Sequence, residues 1–410
     1  MKRKFNVTGL CVPELHYMVD TSRQVSEIRH LVDEGSYFTI NCARQYGKTT
    51  TLAALARDLS DDYIVINMDF QMFGSSAYKN ENKFSLAFAS CFLEEFPPDK
   101  IKGQGTEAFK AFEMSVANAD NRLELFQLFK YLQKICMASE KPVILIADEV
   151  DSAANNQVFL DFLAQLRGYY LMRTRNGTPS FQSVILASVY DIKNLKNKMV
   201  QDKEYKTNSP WNIAAYFNIE MSFDKKGIAG MVKEYEEDYH TGMDIDVISS
   251  LIYDYTSGYP FLVSKICKLI DEYIPGKDGF PDKKSAWTKD GFLLAVKILL
   301  EEPNTLFESL LNKLEDYKEL GEMLVNLLFR GREIVYSFGI PSIEMALIFG
   351  FVKKSDNNII IANRIFETFL YNSFLGVPEM QGSKIFDAAI QDKNQFIQNG
   401  RLNMELLKEL

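Results

Sequence analysis

"YFTINCARQYGKTTTLAALARDL", residues 37–59, is the stretch whose reading decides the fold. An apolar run, YFTINC (37–42), enters a polar loop. The chain leaves that loop as KTTTLAALARDLSD (48–61), with Leu52, Leu55 and Leu59 at helical spacing. Strand, loop and helix in this order are the setting of a phosphate-binding loop, whose pattern is Gly, four residues, Gly-Lys, then Ser or Thr. Gly47, Lys48 and Thr49 are in place, whereas Cys42 stands at the first glycine position. The first glycine serves the turn where the strand enters the loop, and cysteine is small enough to make the same turn. Gly47, which must let the backbone approach a phosphate closely, is present. The loop therefore reads as intact, over Cys42, Ala43, Arg44, Gln45, Tyr46, Gly47, Lys48, Thr49 and Thr50.

A second motif lies about 100 residues on. KPVILIADEVD (141–151) runs from apolar residues straight into Asp148 and Glu149. YIVINMDF (63–70) and SVILASVYD (183–191) are further buried-strand patterns, and YIVINMDF is expected to be covered on both faces. Helical spacing occurs at 22–35, over 81–139 with breaks at PPDKIKGQG and NADNR, and at 156–173. Strands alternating with helices predict a parallel α/β sheet.

The residue types match phosphate chemistry. Loop N–H groups and the helix dipole face a β-phosphate. Lys48 reaches the β- and γ-phosphates, the Thr49 hydroxyl ligates Mg²⁺, and Asp148 holds the same ion through water. Glu149 orients and deprotonates an attacking water. Arg44, Arg167 and Arg173 are the candidates for stabilising charge on the transferred group.

From about residue 205 the character changes to helices, at 224–240, 245–256, 259–275 and 287–300. EEPNT follows as a linker, then three helical segments and FGFVKKSDNNIIIANR, a hairpin turning at Asp356-Asn357-Asn358. That is the outline of a winged helix. The expected division is a nucleotide-binding core over 1–205, a helical lid over 206–303, a winged helix over 304–375 and a charged helical tail over 376–410. The segment IPSIEMALIFG, in the recognition-helix position, has Glu344 and no Lys or Arg. Phosphate contact needs cations, so a protein partner through the winged helix and tail is expected ahead of DNA, which would have only Lys353, Lys354 and Arg364 to meet.

Composition narrows the classes. Of 410 residues, 47% are hydrophobic and 25% charged, as in globular proteins of two or three domains. Stretches such as VILIA and MALIFGFV fall short of the roughly 20 residues needed to span a bilayer, and MKRKFNVTGL has no secretory apolar region. Five scattered cysteines and three histidines predict neither disulfides nor a zinc site, and fit a reducing cytoplasm. A net charge of -9 excludes a protein that coats nucleic acid generally.

These motifs resemble a known family. NCARQYGKTTTL resembles the loop of the AAA-like P-loop ATPases of prokaryotes, in which the first glycine is commonly replaced. ILIADEVD resembles their Walker B strand, LDFLAQLRGYY the helix after it, and SPWNIA (209–214) their SPFN segment. SGYPFLVSKIC (257–267) is similar to the Gly-x-Pro element of archaeal-type and signalling relatives, and IIIANRIFETFL to the end of their winged helix. The resemblance covers residues 15–375 and implies a P-loop NTPase fold with ATP and Mg²⁺ as ligands. It also implies that Pro260 abuts the adenine and that Ser188 or Asp191 senses the γ-phosphate. Gly258-Tyr259-Pro260 equally fits a turn between helices. DKNQFIQNGRLNMELLKEL resembles a segment that leads into a nuclease-like domain in longer relatives, and no nuclease activity is expected of these residues. The expected function is a Mg²⁺-dependent ATPase acting as a nucleotide-dependent switch. The alternatives are a DNA-associated ATPase of a mobile-element or defence system, and a non-hydrolysing ATP-held interaction module.

Overall fold

Successive residues of a strand face opposite ways, and here both faces of the central strands are apolar. β1 (Tyr37–Asn41), β2 (Ile64–Asp69), β3 (Val143–Asp148) and β4 (Ser183–Ser188) form a parallel sheet in the order β1-β4-β3-β2 in the computed structural model. The structure describes residues 2–103, 105–117, 122–189, 211–329, 333–376, 397–398 and 401–402.

On one face, Phe38, Ile40, Ile144, Ile146, Ile185 and Ala187 pack on α1 (Ser22–Asp33) and α2 (Lys48–Leu59), through Val25, Ile28, Val32, Leu52, Leu55 and Leu59. On the other, Leu145, Ala147, Val184 and Leu186 meet a phenylalanine-rich layer. Phe84, Phe88 and Phe92 of α3 (Glu81–Glu95) and Phe159 and Phe162 of α6 (Gln157–Asn176) dominate it. Between these, α4 (Gly105–Ala117) and α5 (Leu125–Ala138) complete the layer. Each such side chain contributes about 1.5–3 kcal/mol on burial, so these layers hold the helices in place.

β2 departs from the sequence expectation. It is an edge strand, with Ile64, Ile66 and Met68 buried but Asn67 and Asp69 exposed. Being at the edge, β2 has its second face only partly covered: Val65 packs against the α1–α2 layer, and the exposed residues are Asn67 and Asp69. At the opposite edge, Ala215 N–H donates to Tyr37 O at 2.7 Å, a single parallel bridge that extends the sheet beyond β1. Trp211, fully buried, donates from Nε1 to Thr39 Oγ1 at 2.8 Å.

All four strands end on the same edge. The chain runs from β1 to the far edge at β2 and then steps back through β3 and β4. Ligands of open parallel sheets bind beyond the carboxyl ends where the order reverses. The loop, Asp148 and Ser188 all lie on that edge.

Contacts divide the chain into two units, Thr8–Glu14 with Asp20–Met221, and Met1–Val7 with Leu15–Val19 and Ser222–Leu410. The second unit contains α7 (Lys225–Tyr239), α8 (Ile245–Thr256), α9 (Pro260–Lys268), α10 (Lys283–Ala286) and α11 (Lys289–Glu301). After them come α12 (Thr305–Asp316), α13 (Lys318–Phe329), β5 (Ile334–Val335), α14 (Pro341–Ile348), β6 (Val352–Ser355), β7 (Asn358–Ile361) and α15 (Arg364–Gly376). The three strands form an antiparallel sheet in the order β5-β7-β6. Ser355 pairs with Asn358 around a turn at Asp356-Asn357, with Asp356 at φ 51°, which places the hairpin where its sequence predicts it.

Two features of this unit are not apparent in the sequence. Phe5, fully buried, packs among Tyr17, Tyr235 and Trp287 at centroid distances of 5.1, 5.3 and 5.9 Å. In the tail expected to be helical, Ile397–Gln398 and Arg401–Leu402 pair as antiparallel strands. Among the described residues, no helix is long and apolar enough to cross a membrane.

Candidate nucleotide site

The loop between β1 and α2 alternates in backbone hand. Gln45 has φ 57° and Gly47 φ 80°, with Tyr46 between them on the ordinary side. Such alternation gathers successive N–H groups into an anion-binding concavity, and the twelve-residue α2 adds its N-terminal dipole. A non-glycine left-handed residue costs about 1–2 kcal/mol, so Gln45 marks a turn imposed by its surroundings. Arg44 is exposed and Ala43 buried.

Lys48 is only 6% exposed, and its Nζ donates to Cys42 O at 3.1 Å and Ala43 O at 3.4 Å. The ammonium is thus folded back over its own loop and held by neutral acceptors that a phosphate can replace. Thr49 Oγ1 donates to Asp148 Oδ2 at 2.8 Å, joining two motifs 99 residues apart. Toward a cation this pair offers only hard oxygen atoms, the set that suits Mg²⁺, which takes few protein ligands and keeps its waters. Among the described residues, no group of three or more His, Cys, Asp or Glu could hold a metal.

Glu149 follows directly and adopts φ 52°, ψ 36°, a left-handed conformation. Its N–H donates to Asp148 Oδ1 at 2.9 Å. Burial raises its carboxyl pKa, Lys48 opposes the shift, and Asp148, Asp151 and Asp69 reinforce it. A carboxylate held less acidic than usual beside the loop is suited to taking a proton.

Cys42 follows β1 and is still tied to β4. Its N–H donates to Ser188 O at 3.3 Å. Burial pushes its thiol up to about 11, against the pull of Lys48, so it is a neutral thiol at physiological pH. Thr50 Oγ1 accepts from Cys11 N–H at 3.3 Å.

Ser188 ends β4, in register with Asn41 of β1, and is 1% exposed. Its Oγ donates to Asp151 Oδ1 at 2.9 Å, and Val189 N–H donates to Asp151 Oδ2 at 2.7 Å. Asp191 lies outside the described residues. Pro260 belongs to the other unit, where it is buried at the first position of α9, after Gly258 at φ 74°. There Gly258 O accepts from Phe223 N–H at 2.9 Å, and a Cβ on Gly258 would lie 1.8 Å from Phe223 O.

The helix arginines are placed elsewhere. Arg173 donates to Gly35 O, Phe181 O and Gln182 O, and lies over the Tyr37 and Tyr170 rings. Those carbonyls precede β1 and β4, so Arg173 clamps the edge of the sheet opposite the loop. The reason is length: α6 starts near the carboxyl edge and rises 1.5 Å per residue, which carries its last turns to the far side. Arg167, midway along, has a buried Nε with no hydrogen-bond partner. Asp69, not singled out by sequence, stands in register with Asp148 at the end of β2. A carboxylate closing an alternating strand was its only signal.

A strand ending in a phosphate nest, a buried lysine and a Thr–Asp pair on the carboxyl edge of a parallel sheet define a P-loop nucleotide-binding protein. The chain belongs to the AAA-like domain family, whose profile matches residues 14–273. Its fold is similar to that of the Walker-type ATPase of Pyrococcus abyssi, at 14% identity and TM-score 0.52, over 90% of this chain and 99% of that one. It is also similar to the Aeropyrum pernix ORC2 protein in its ADPNP-ADP complexes, at 12% identity and TM-score 0.47, over 91% of this chain and 93% of that one. The Thermotoga maritima RuvB Holliday junction branch migration motor matches at 12% identity and TM-score 0.41, over 85% of this chain and 94% of that one. None of the curated proteins matches the chain.

Proposed function

We propose that the protein binds ATP on this loop and hydrolyses it with Mg²⁺, acting as a nucleotide-dependent switch. The observation that carries this is the Thr49–Asp148 hydrogen bond of 2.8 Å beside the buried Lys48. A hydroxyl and a carboxylate from distant motifs meet there, and these two residues would hold Mg²⁺. Bound there, Mg²⁺ would neutralise charge on the phosphate oxygens.

The chain's own residues do the rest. Loop N–H groups hold the β-phosphate, and Lys48 exchanges Cys42 O and Ala43 O for phosphate oxygens. In this reading Arg44, exposed in the loop, offsets charge on the transferred group. Glu149 takes a proton from the attacking water. The contacts of Lys48 and Thr49 are exchanged for contacts to the nucleotide, so binding makes a difference to the loop's conformation. That difference is the physical basis for a switch. Residues 305–376 supply the output element; their helices and three-stranded sheet are read as a winged helix with an apolar α14, suited to a protein partner.

The test is phosphate release from ATP by purified protein, with and without Mg²⁺. Wild type should turn over only with Mg²⁺, and Asp148→Asn should lose the Mg²⁺-dependent part of ATP affinity. Mg²⁺-independent affinity, equal in Asp148→Asn and wild type, would rule out this use of the Thr49–Asp148 pair.

A further inference from the structure

The two edges of the β5-β7-β6 sheet differ in chemistry. β6 carries Lys353 and Lys354, and lysines on an edge strand keep other strands off it. β5 lies at the opposite edge, within IVYSFGIPSI (334–343), a run without a charge. Tyr336 N–H donates to Asn357 O at 2.7 Å. Antiparallel pairs alternate between bonded and non-bonded, so Val335, one residue before, turns its N–H and C=O away from β7 to the open edge. Among the described residues, no strand pairs with that edge. The side chains there are apolar and exposed. Val335 is 63% exposed and shares a face with Ile360 of β7, at 40%. Phe338, at 83%, follows in a turn that Gly339 N–H fixes by donating to Glu344 Oε1 at 2.9 Å. Shortness alone blunts an edge strand, and β5 has only two residues; an open, uncharged, apolar edge does the opposite.

We propose that this edge pairs with the same edge of a second copy of the chain, antiparallel across a two-fold axis. What the edge offers is backbone N–H and C=O, so its occupant is a strand. Opposite Val335 that strand must be apolar and uncharged, and β5 itself meets both conditions. With Val335 opposite Val335, each copy's N–H meets the other's C=O. Glu333 then falls opposite Ser337, so the nearest carboxylates do not face each other. Two three-stranded sheets become one of six strands, with β6 and its lysines at both ends. The interface is isologous and closes at two copies instead of growing into a fibre. The inference goes beyond the protein partner read for α14, and it does not depend on nucleotide.

Sedimentation equilibrium of the full chain over a range of concentrations tests this. The wild-type mass should rise toward twice the 47.0 kDa of one chain. Val335→Lys sets like charges directly opposite each other and should raise the dissociation constant about tenfold or more. Its circular dichroism and ATP affinity should stay as in wild type, because an exposed edge residue adds little to the monomer. Val335→Cys checks the register. Paired Cα atoms about 5.5 Å apart are within reach of a disulfide, so mild oxidation should link two copies, with peptide mapping placing the link at position 335. Ile360→Cys, one strand further from the axis, should not link to itself. A wild type that stays at 47.0 kDa at the highest concentration overturns the proposal. So does a dimer that Val335→Lys leaves unchanged, or that oxidised Val335→Cys does not link, since its interface lies elsewhere. Should Val335→Lys fail to fold, the Val335→Cys linkage decides alone. Phosphate release is read on the same wild-type samples, and its absence from a dimer linked through position 335 counts against the ATPase function and not against this interface.

Discussion

Replacing Lys48 by alanine separates binding from folding. The ammonium donates to Cys42 O at 3.1 Å and Ala43 O at 3.4 Å. A typical hydrogen bond contributes about 1 kcal/mol net, so Lys48→Ala should change stability by no more than ~2 kcal/mol. Against a phosphate the balance differs. Two unit charges about 4 Å apart in surroundings of effective dielectric ~20 attract by roughly 4 kcal/mol. Subtracting the ~2 kcal/mol surrendered when Lys48 leaves the carbonyls leaves about 2 kcal/mol. That is about a 30-fold loss of ATP affinity. Titration calorimetry with ATP and Mg²⁺ would measure it, and thermal unfolding without nucleotide would show the fold intact. An affinity within about two-fold of wild type, under 0.5 kcal/mol, would refute the assignment of this loop. Loss of folding without nucleotide would instead mean that the two carbonyl contacts are worth far more than such bonds normally are.

Glu149→Gln should keep ATP binding and lower turnover by about 10²–10⁴-fold, the contribution of a general base; turnover equal to wild type would remove Glu149 from that role. The raised pKa of Glu149 means the folded state holds its proton to higher pH than the unfolded chain, so wild-type stability falls as pH rises through that interval. Melting temperatures should therefore favour Glu149→Gln at neutral pH and converge with wild type in acid. Arg173→Ala strips charged donors from three backbone carbonyls and should destabilise by about 2–4 kcal/mol in denaturant titration, with ATP affinity unchanged; a selective loss of affinity would put Arg173 back at the site. Gly258→Ala sets a Cβ against Phe223 O at a left-handed position. It should cost about 3 kcal/mol or more, read as a lowered denaturation midpoint, and near-parental stability would contradict the geometry.

Local order along the chain settled much of this protein. Gly47-Lys48-Thr49 between a strand and a helix, and five apolar residues running into Asp148-Glu149, mark the nucleotide edge of a parallel sheet. They do so because a phosphate loop needs contiguous backbone and a buried strand a contiguous apolar run, and contiguity is what a sequence records. The hairpin turn at Asp356-Asn357 was legible for the same reason. Tertiary structure decided what depends on strand order and on distance through space. β2 lies at an edge, so one of its faces is only partly covered, with Asn67 and Asp69 exposed, and Asp69 joins the site end, although YIVINMDF looks like a strand buried on both sides. Asp151 is two residues from Glu149 in sequence, but only the β1-β4-β3-β2 order brings β4 to it and commits the Ser188 proton. Arg173 reads as a charge stabiliser after the acidic motif, yet α6 is long enough to carry it to the opposite edge. Phe5 enters the Tyr235–Trp287 cluster across more than 200 residues of chain, a contact that burial alone selects and no local pattern announces.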